Sequence, residues 1–330
     1  MALDILAIGD IVVEPFIKLK DASVHCSVNT QACEICMRFG DKIPYESAEI
    51  MPAVGNSANA AVCAARLGLK SALRAYVGKD TNGEMCQKRL KQEKVDTKFV
   101  VVDKEKETNR HYVLWYDTER TILVNHQDYP YTFPKLSDHP KWIYLSSLAA
   151  TSGPYHEMIL DYLEKNPRVQ LAFQPGTFQL SLTGAVKERV YKRTDVFFCN
   201  KDEARRLLQT PEENEIKNLL SGVAALGPKK VVISDDTKGA YAFDGESYFY
   251  IPLYPDVRAP FERTGAGDSF SSTIIAALCL GKSFQEALLW GPINAMSVVQ
   301  DVGAQKGLLT RTKLLSYLES APESYKLKQL

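Results

Sequence analysis

The strongest constraint on the fold is a regular alternation of apolar and amphipathic segments that begins near residue 141. The apolar segments are WIYLSSL, VQLAFQP, DVFFCN and KVVISD, and helical periodicity follows in 155–165, 180–191, 201–208 and 212–226. Strands that alternate with helices form parallel sheets with right-handed crossovers. We therefore predict an α/β fold with a mostly parallel central sheet, helices on both faces, and a ligand site at the carboxyl ends of the strands.

Segments outside this alternation are β-rich or irregular. The apolar run 3–13 is typical of a central strand, although Gly9-Asp10 interrupts it. Residues 15–52 mix short strand-like pieces with polar residues, and we interpret them as an elaborated flap. Residues 98–103 are also β-rich, and 109–125 predict a hairpin that turns near Asp117.

A glycine-rich turn carries the clearest chemical signal. The octet RTGAGDSF over 263–270 precedes an apolar run that predicts a helix. Gly265 and Gly267 allow a tight turn whose backbone N–H groups converge, and the helix dipole adds positive potential, so the turn can hold a polyphosphate. Asp268 can take a proton from a hydroxyl that attacks phosphorus. The alternative is an ordinary loop with a helix N-terminal charge at Asp268.

The overall charge argues against polyanionic partners. Lysine plus arginine and aspartate plus glutamate each number 40, so no net field attracts nucleic acid or an acidic membrane. No apolar run reaches the roughly 18 to 20 residues that span a bilayer. Asp4 stands where a signal peptide would be basic and then apolar. We expect a cytoplasmic protein with neither nucleic acid nor membrane as a partner.

The seven cysteines are expected to be reduced and mostly buried. Four of them lie in segments typical of core helices or strands: Cys63, Cys86, Cys199 and Cys279. Cys33 and Cys36 have zinc-knuckle spacing, with Cys26 nearby, but a second close pair of ligands is missing. We therefore favour packing thiols over a metal site here.

Five motifs follow one another along the chain: an apolar strand followed by an acid, a Gly55-Asn56 helix entrance, Asn200-x-x-Glu203 at a strand end, a loop from Ser234 to Gly239 at another strand end, and Gly-Ala-Gly-Asp before a helix. Their order resembles that of the ribokinase-like, or PfkB, family of carbohydrate and nucleoside kinases, from about residue 4 to residue 318. The resemblance implies that Gly265, Ala266 and Gly267 form an anion hole and that Asp268 is the general base. It further implies that Asn200 and Glu203 organise Mg²⁺ and phosphate, with Glu203 acting through water. The implied nucleotide contacts are Asn200, Ser234, Asp236, Gly239, Gly265, Gly267 and Asn294.

The resemblance also assigns substrate contacts and subdomains. The implied substrate contacts are Asp10, Glu14, Gly55, Asn56, Asn59 and Arg120. Asn56 could instead be only a helix cap. Residues 15–52 with 98–125 correspond to a β-lid, and 1–14 with 53–97 and 126–330 correspond to a large α/β domain that binds nucleotide and substrate. The lid is expected to pair two subunits into a homodimer.

Five positions depart from the family pattern. Glu14 replaces an aspartate, Val54 and Asp236 replace glycines, Glu262 replaces an aspartate, and Pro292 stands where many members have Asn or His. An acid at 236 would repel phosphate, so we predict that Asp236 points to solvent or to a cation. The change at 262 puts in question the K⁺ site that some members build.

The resulting expectation is an ATP- and Mg²⁺-dependent phosphotransferase that acts on an alcohol group of a small sugar or sugar acid. Arg120 would suit a carboxylate of the acceptor, and the alternative is a solvated lid residue. Two alternatives remain open at this point: a nucleoside kinase of the same fold, and a non-catalytic sugar-binding regulatory protein.

Overall fold

The computed structural model describes residues 3–26, 33–117 and 119–330. The strands in these residues are β1 Ile5–Ile8, β2 Val12–Leu19, β3 Ser23–Cys26, β4 Cys33–Cys36, β5 Tyr45–Val54, β6 Ser71–Arg74, β7 Tyr76–Gly78, β8 Val101–Asp103, β9 Arg110–Tyr116, β10 Glu119–Asn125, β11 Trp142–Leu145, β12 Gln170–Phe173, β13 Val196–Asn200, β14 Lys230–Ser234, β15 Ala240–Phe243, β16 Tyr248–Ile251 and β17 Lys328–Gln329.

The helices in the same residues pack mostly on this strand framework. They are α1 Asn56–Arg66, α2 Thr81–Gln92, α3 Gly153–Lys165, α4 Thr177–Leu180, α5 Gly184–Arg193, α6 Lys201–Leu208, α7 Ile216–Ala225, α8 Ala266–Cys279, α9 Phe284–Val298 and α10 Arg311–Glu319. A short 3₁₀ turn covers Asp236–Lys238. Among the described helices, none is both long and apolar enough to cross a membrane.

A nine-stranded sheet forms the centre of the molecule, in the order β17-β16-β15-β14-β13-β12-β11-β1-β6. The six strands from β14 to β6 run parallel, and β15, β16 and β17 add antiparallel strands at one edge. Both faces are buried, since Ile5 and Ala7 of β1 join one apolar cluster and Leu6 and Ile8 join the other. The predicted α/β architecture is confirmed.

The helices form one layer on each face of the sheet. Buried side chains of α1, α2, α8, α9 and α10 belong to the first cluster, and those of α3, α5, α6 and α7 belong to the second. Burial of these apolar faces, at about 25 cal/mol per Å², is the main force that fixes α1 and α8 against each other and against the sheet. The N-terminal ends of both helices thereby meet above the same strand ends.

A separate four-stranded sheet, which we call the lid, has the order β10-β9-β2-β5. The hairpin of β9 and β10 turns at Asp117, as predicted. Two sequence interpretations were wrong. The run 3–13 is divided between β1 in the central sheet and β2 in the lid, and residues 101–103 pair with β7 instead of a lid strand. Apolar composition identifies a strand but does not identify its partner.

The helical segments agree with the sequence pattern apart from their ends. The predicted helix 180–191 corresponds to α5, which begins at Gly184, whereas the short helix α4 was not predicted. The predicted helix 212–226 shortens to α7. Helix ends fray and depend on caps, so such shifts are expected.

The cysteines divide into two groups. Cys63, Cys86, Cys199 and Cys279 are buried free thiols, as predicted. Cys26 and Cys33 form a disulfide, so the expectation of reduced thiols was wrong for this pair. The two residues face each other in the antiparallel strands β3 and β4. Within the described residues, no cluster of three or more His, Cys, Asp and Glu side chains is placed to hold a metal ion, and Cys36 is a free thiol.

Candidate active site

The glycine turn forms the N-terminus of α8. Gly265 is the N-cap residue and has φ +78°, a left-handed conformation that favours glycine. A Cβ at 265 would lie 2.4 Å from Ala304 Cβ, whereas a Cβ at Gly267 would meet nothing within 4 Å. The turn is therefore packed on one side and open on the other, where the N-terminal end of a 14-residue helix offers positive potential.

Asp268 lies in the first turn of α8 and is held by two amides. Asn59 Nδ2 donates to Asp268 Oδ2 at 2.8 Å, and Gln174 Nε2 donates to Oδ1 at 3.0 Å. Burial raises the pKa of Asp268, and the hydrogen bonds from Asn59 and Gln174 act in the opposite direction. Each carboxylate oxygen keeps a free lone pair, so the group can still accept a proton from a ligand.

The two amides are themselves fixed. Gln305 Nε2 donates to Asn59 Oδ1 at 3.0 Å, and Ser271 Oγ donates to Gln174 Oε1 at 3.0 Å. Because both amide oxygens accept hydrogen bonds, their NH₂ groups must face Asp268. Sequence reasoning noted Gln174 only as a strand end after β12, and the ordering role of Gln305 was missed.

A cleft in front of Asp268, which we call the acceptor cleft, lies between the central sheet and the lid. Its polar lining includes Glu14, Asn56, Asn59, Arg120 and Asp268, and Val54 and Gly55 lie at the entrance to α1. Lid strands contribute apolar side chains, namely Phe16, Val113 and Ile122. A cleft with acids and amides on one side and apolar groups on the other suits a polyhydroxylated ligand of modest size.

Glu14 is the least compensated acid in this cleft. Its carboxylate accepts no hydrogen bond from the described residues, and its nearest basic group is His111, 3.9 Å away. Burial raises the pKa of Glu14 from 4.5 to about 7, and Arg120 opposes the rise. Burial also lowers the pKa of His111 to about 4, so this imidazole is neutral at pH 7. Glu14 is thus free to accept hydrogen bonds from a ligand.

The Glu14 carboxylate makes stability depend on pH. The folded protein retains a proton that the unfolded chain loses above pH 4.5, so the free energy of unfolding falls as pH rises from about 4.5 to about 7. The pKa difference corresponds to about 3 kcal/mol.

We expect Glu14→Gln to raise Tm relative to wild type at pH 8, with the two values converging near pH 4. Parallel Tm curves would contradict this, and Glu49→Gln, at an exposed lid carboxylate, is the control.

Asp10 occupies a position behind the cleft. Its Oδ2 accepts hydrogen bonds from His126 Nε2 at 2.8 Å, Tyr131 Oη at 2.6 Å and the Ala149 amide at 2.9 Å. Asp10 is buried and is not among the residues that line the acceptor cleft, and its Oδ1 has no hydrogen-bond partner among the described residues, so its assignment as a substrate contact remains a prediction. His126 and Tyr131 had no recognisable sequence signal.

Arg120 connects the lid to the glycine turn. Its Nη1 donates to Thr264 Oγ1 at 2.6 Å and lies 3.6 Å from Glu262 Oε2. Glu262 also accepts from the Thr264 and Gly303 amides. Arg120 is therefore positioned over the cleft by residues next to the turn, and a cation near Glu262 would face the Arg120 guanidinium.

A second cleft, which we call the donor cleft, lies on the other side of Gly267. Its lining includes Ser234, Asp236 and Gly239 after β14, Ala266 and Gly267 of the turn, and Pro292, Ala295, Met296 and Val299. Both clefts are lined by Asn200, Ser234, Arg263, Gly267 and Phe270. The two clefts thus meet at the open side of the glycine turn.

Two donor-side predictions have different outcomes. Asp236 Oδ1 pairs with Arg263 Nη1 at 2.8 Å, which confirms that this acid points to a cation. Asn294 is wrongly assigned as a nucleotide contact, because its side chain is fully buried and bonds to Thr273 Oγ1 and the Leu309 amide. Successive residues of a helix point in different directions, so Asn294 lies on the buried face of α9 while the next residue, Ala295, lines the donor cleft.

Asn200 and Glu203 form a reciprocal cap at the start of α6. Asn200 Oδ1 accepts from the Glu203 amide and Glu203 Oε2 accepts from the Asn200 amide, each at 2.8 Å. Burial raises the pKa of Glu203, and the Asn200 amide opposes the rise. Glu203 Oε1 has no hydrogen-bond partner among the described residues and belongs to a side chain that lines the acceptor cleft.

Residues 51–311 match the sequence profile of pfkB family carbohydrate kinases. The chain belongs to the pfkB family of carbohydrate kinases. It is 25% identical over 287 residues to the 5-dehydro-2-deoxygluconokinase of Bacillus subtilis, covering 81% of this chain and 86% of the relative. This membership confirms the family resemblance and supports phosphotransferase activity toward an alcohol group.

Solved structures share the fold at lower identity. The Arabidopsis thaliana ribokinase complexed with ribose and ATP has a TM-score of 0.79 and 19% identity, covering 97% of this chain and 99% of that one. The nucleoside kinase of Methanocaldococcus jannaschii has a TM-score of 0.75 and 18% identity, with the same two coverages. The predicted ribokinase-like fold is confirmed.

Proposed function

We propose that the protein transfers the terminal phosphoryl group of ATP to a hydroxyl of a small sugar or sugar acid. The observation that carries the proposal is the position of Asp268. Its half-buried carboxylate is held by two fixed amides beside the acceptor cleft, next to Gly267, where both clefts meet. A regulatory protein that only binds sugar needs no oriented base at this junction.

In the proposed reaction, the acceptor oxygen forms a bond to the γ-phosphorus while the bond from phosphorus to the β,γ-bridging oxygen breaks. The hydroxyl proton passes to Asp268, and ADP leaves. Negative charge on the transferring oxygens is stabilised by the N–H groups of the Gly265–Gly267 turn and the N-terminus of α8. The space beside Gly267 is open, since a Cβ at this position would meet no atom within 4 Å. A phosphate can therefore approach the backbone here, whereas a larger residue would fill part of the space.

We infer that Mg²⁺ is held on the Glu203 side of the junction. Glu203 is half-buried and its Oε1 lacks a partner among the described residues, which fits an oxygen ligand or a water-mediated contact. When bound, the ion would neutralise charge on the phosphate oxygens. K⁺ is not part of the proposal, because the Glu262 oxygens accept from Thr264 and Gly303 and Arg120 lies 3.6 Å away.

For the acceptor we propose contacts from Glu14, Asn56, Asn59 and Arg120. Glu14 can accept hydrogen bonds from hydroxyls, and Arg120 can pair with a carboxylate. The relative named 5-dehydro-2-deoxygluconokinase makes a keto-sugar acid a natural first candidate.

The test is to incubate the protein with ATP, Mg²⁺ and a panel of acceptors that includes sugars, keto-sugar acids and nucleosides. Turnover is measured as the release of ADP. Turnover of a sugar or sugar acid is expected. Turnover of nucleosides alone would move the proposal to nucleoside kinases, and ATP binding without any turnover would favour a non-catalytic protein.

We also propose that two copies pair through the lid. Its edge strands expose apolar side chains, including Leu123 and Val124 at 53% and 63% and Ile50 at 55% exposure. Light scattering should give a dimer mass for wild type and a monomer mass for Val124→Lys, because a charge would be buried at the interface. Val257→Lys, at a valine with 58% exposure outside the lid, should stay dimeric. A monomeric wild type would contradict this proposal.

A further inference from the structure

We propose that Arg263 is a mobile cation that exchanges Asp236 for the phosphoryl group in transit. The inference rests on the proposed phosphoryl transfer. Arg263 lines both the acceptor cleft and the donor cleft and directly precedes Thr264 and the glycine turn. The Arg263 side chain therefore borders the junction between the two clefts, where the phosphoryl group would pass from donor to acceptor.

The present partner of Arg263 holds it weakly. Asp236 Oδ1 lies 2.8 Å from Arg263 Nη1, but the two side chains are 72% and 64% exposed. Ion pairs in solvent contribute little to stability, since water competes for both charges. Asp236 itself has φ +45° in the 3₁₀ turn after β14, a conformation that aspartate adopts more readily than most residues. The pair is thus suited to open when a stronger anion is present.

Two other charged groups near the junction, Glu262 and Lys201, already have partners. Glu262 is engaged by the Thr264 and Gly303 amides and lies 3.6 Å from Arg120. Lys201, which lines the donor cleft, lies 3.5 Å from Asp235, and both of these side chains are 16% exposed. Asp236 and Arg263 are therefore the most solvent-exposed and exchangeable ion pair among these groups at the junction.

A phosphoryl group offers Arg263 a better partner than Asp236 does. The planar guanidinium can donate two parallel N–H bonds to phosphate oxygens, and it stays protonated throughout. Charge accumulates on the equatorial oxygens during transfer, so the contact strengthens as the reaction proceeds. Arg263 takes no proton and forms no bond to phosphorus. When the phosphorylated product leaves, Asp236 recovers the cation.

The exchange predicts opposite effects for the two partners on ATP binding, measured by calorimetry without acceptor. Arg263→Gln should weaken ATP binding by about tenfold and ADP binding much less, because ADP lacks the terminal phosphoryl group. Asp236→Asn should tighten ATP binding several-fold, because it frees the cation. If both variants weaken binding, the pair is only a structural latch and the proposal fails.

Turnover supplies a second measurement. Arg263→Gln should lower kcat by about a hundredfold, as for other lost transition-state donors, and Arg263→Lys should restore part of it. Arg258→Gln is the matched control, since Arg258 is 60% exposed and contacts Gln300 and Asp301 outside both clefts. Wild-type kcat in Arg263→Gln would overturn the inference. Absence of turnover in wild type would instead overturn the proposed function, while the ATP and ADP affinities would still test Arg263.

Discussion

Asp268→Asn is expected to lower kcat by at least about a hundredfold while leaving ATP affinity nearly unchanged. The amide cannot take a proton from the acceptor hydroxyl. It also disturbs the local hydrogen bonds, because Asn59 and Gln174 each donate to a carboxylate oxygen and one of them would then face an NH₂ group. Calorimetric ATP titration and steady-state turnover on one preparation separate the two quantities.

A matched control distinguishes a base from a simple helix charge. Glu84 is an exposed acid in the first turn of α2, as Asp268 is an acid in the first turn of α8. Glu84→Gln should leave kcat unchanged and alter stability by only about 0.3–1 kcal/mol, the usual effect of a helix-terminal charge. If Asp268→Asn behaved like Glu84→Gln, the glycine turn would be an ordinary helix start.

The two glycines of the turn are expected to fail in different ways. Gly267→Ala should keep or slightly raise Tm, because its Cβ meets no atom within 4 Å and alanine is the better helix former. The added methyl would occupy the opening between the clefts, so kcat/KM should fall roughly a hundredfold, as when phosphate contacts are misplaced. Turnover and thermal unfolding of the same sample check both expectations.

Gly265→Ala should instead destabilise the fold. The backbone has φ +78°, and the new Cβ would lie 2.4 Å from Ala304 Cβ and 2.5 Å from its Cα. Strain and overpacking of this kind cost about 1–3 kcal/mol each, so Tm should drop by several degrees. Full activity in Gly267→Ala, or an unchanged Tm in Gly265→Ala, would contradict the geometry of the turn.

Local sequence was sufficient to predict the parts of the site that are close in the chain. The spacing of Gly265, Gly267 and Asp268 predicts a turn, a helix start and an acid in one step. Asn200 and Glu203 are three residues apart, so a capping box brings them together whatever the rest of the fold does. Asp236 was predicted to point to solvent or to a cation, because an acid that pointed inward would repel phosphate, and it pairs with Arg263.

Contacts between distant segments could not be predicted in this way. Gln174 reaches Asp268 across 94 residues, and Tyr131 reaches Asp10 across 121. Such pairs depend on which strands are neighbours, and apolar patterning does not specify neighbours. The same limit explains why β8 was assigned to the lid, although it pairs with β7.

Phosphorus NMR of wild-type protein with ATP, Mg²⁺ and a panel of sugars and keto-sugar acids tests the central proposal most directly. We predict loss of the γ-phosphate signal and appearance of one phosphomonoester resonance that depends on the acceptor, with neither change in Asp268→Asn. A wild-type protein that binds ATP but produces no phosphomonoester from any sugar or sugar acid, or an Asp268→Asn variant that produces it at the wild-type rate, would contradict the proposed function.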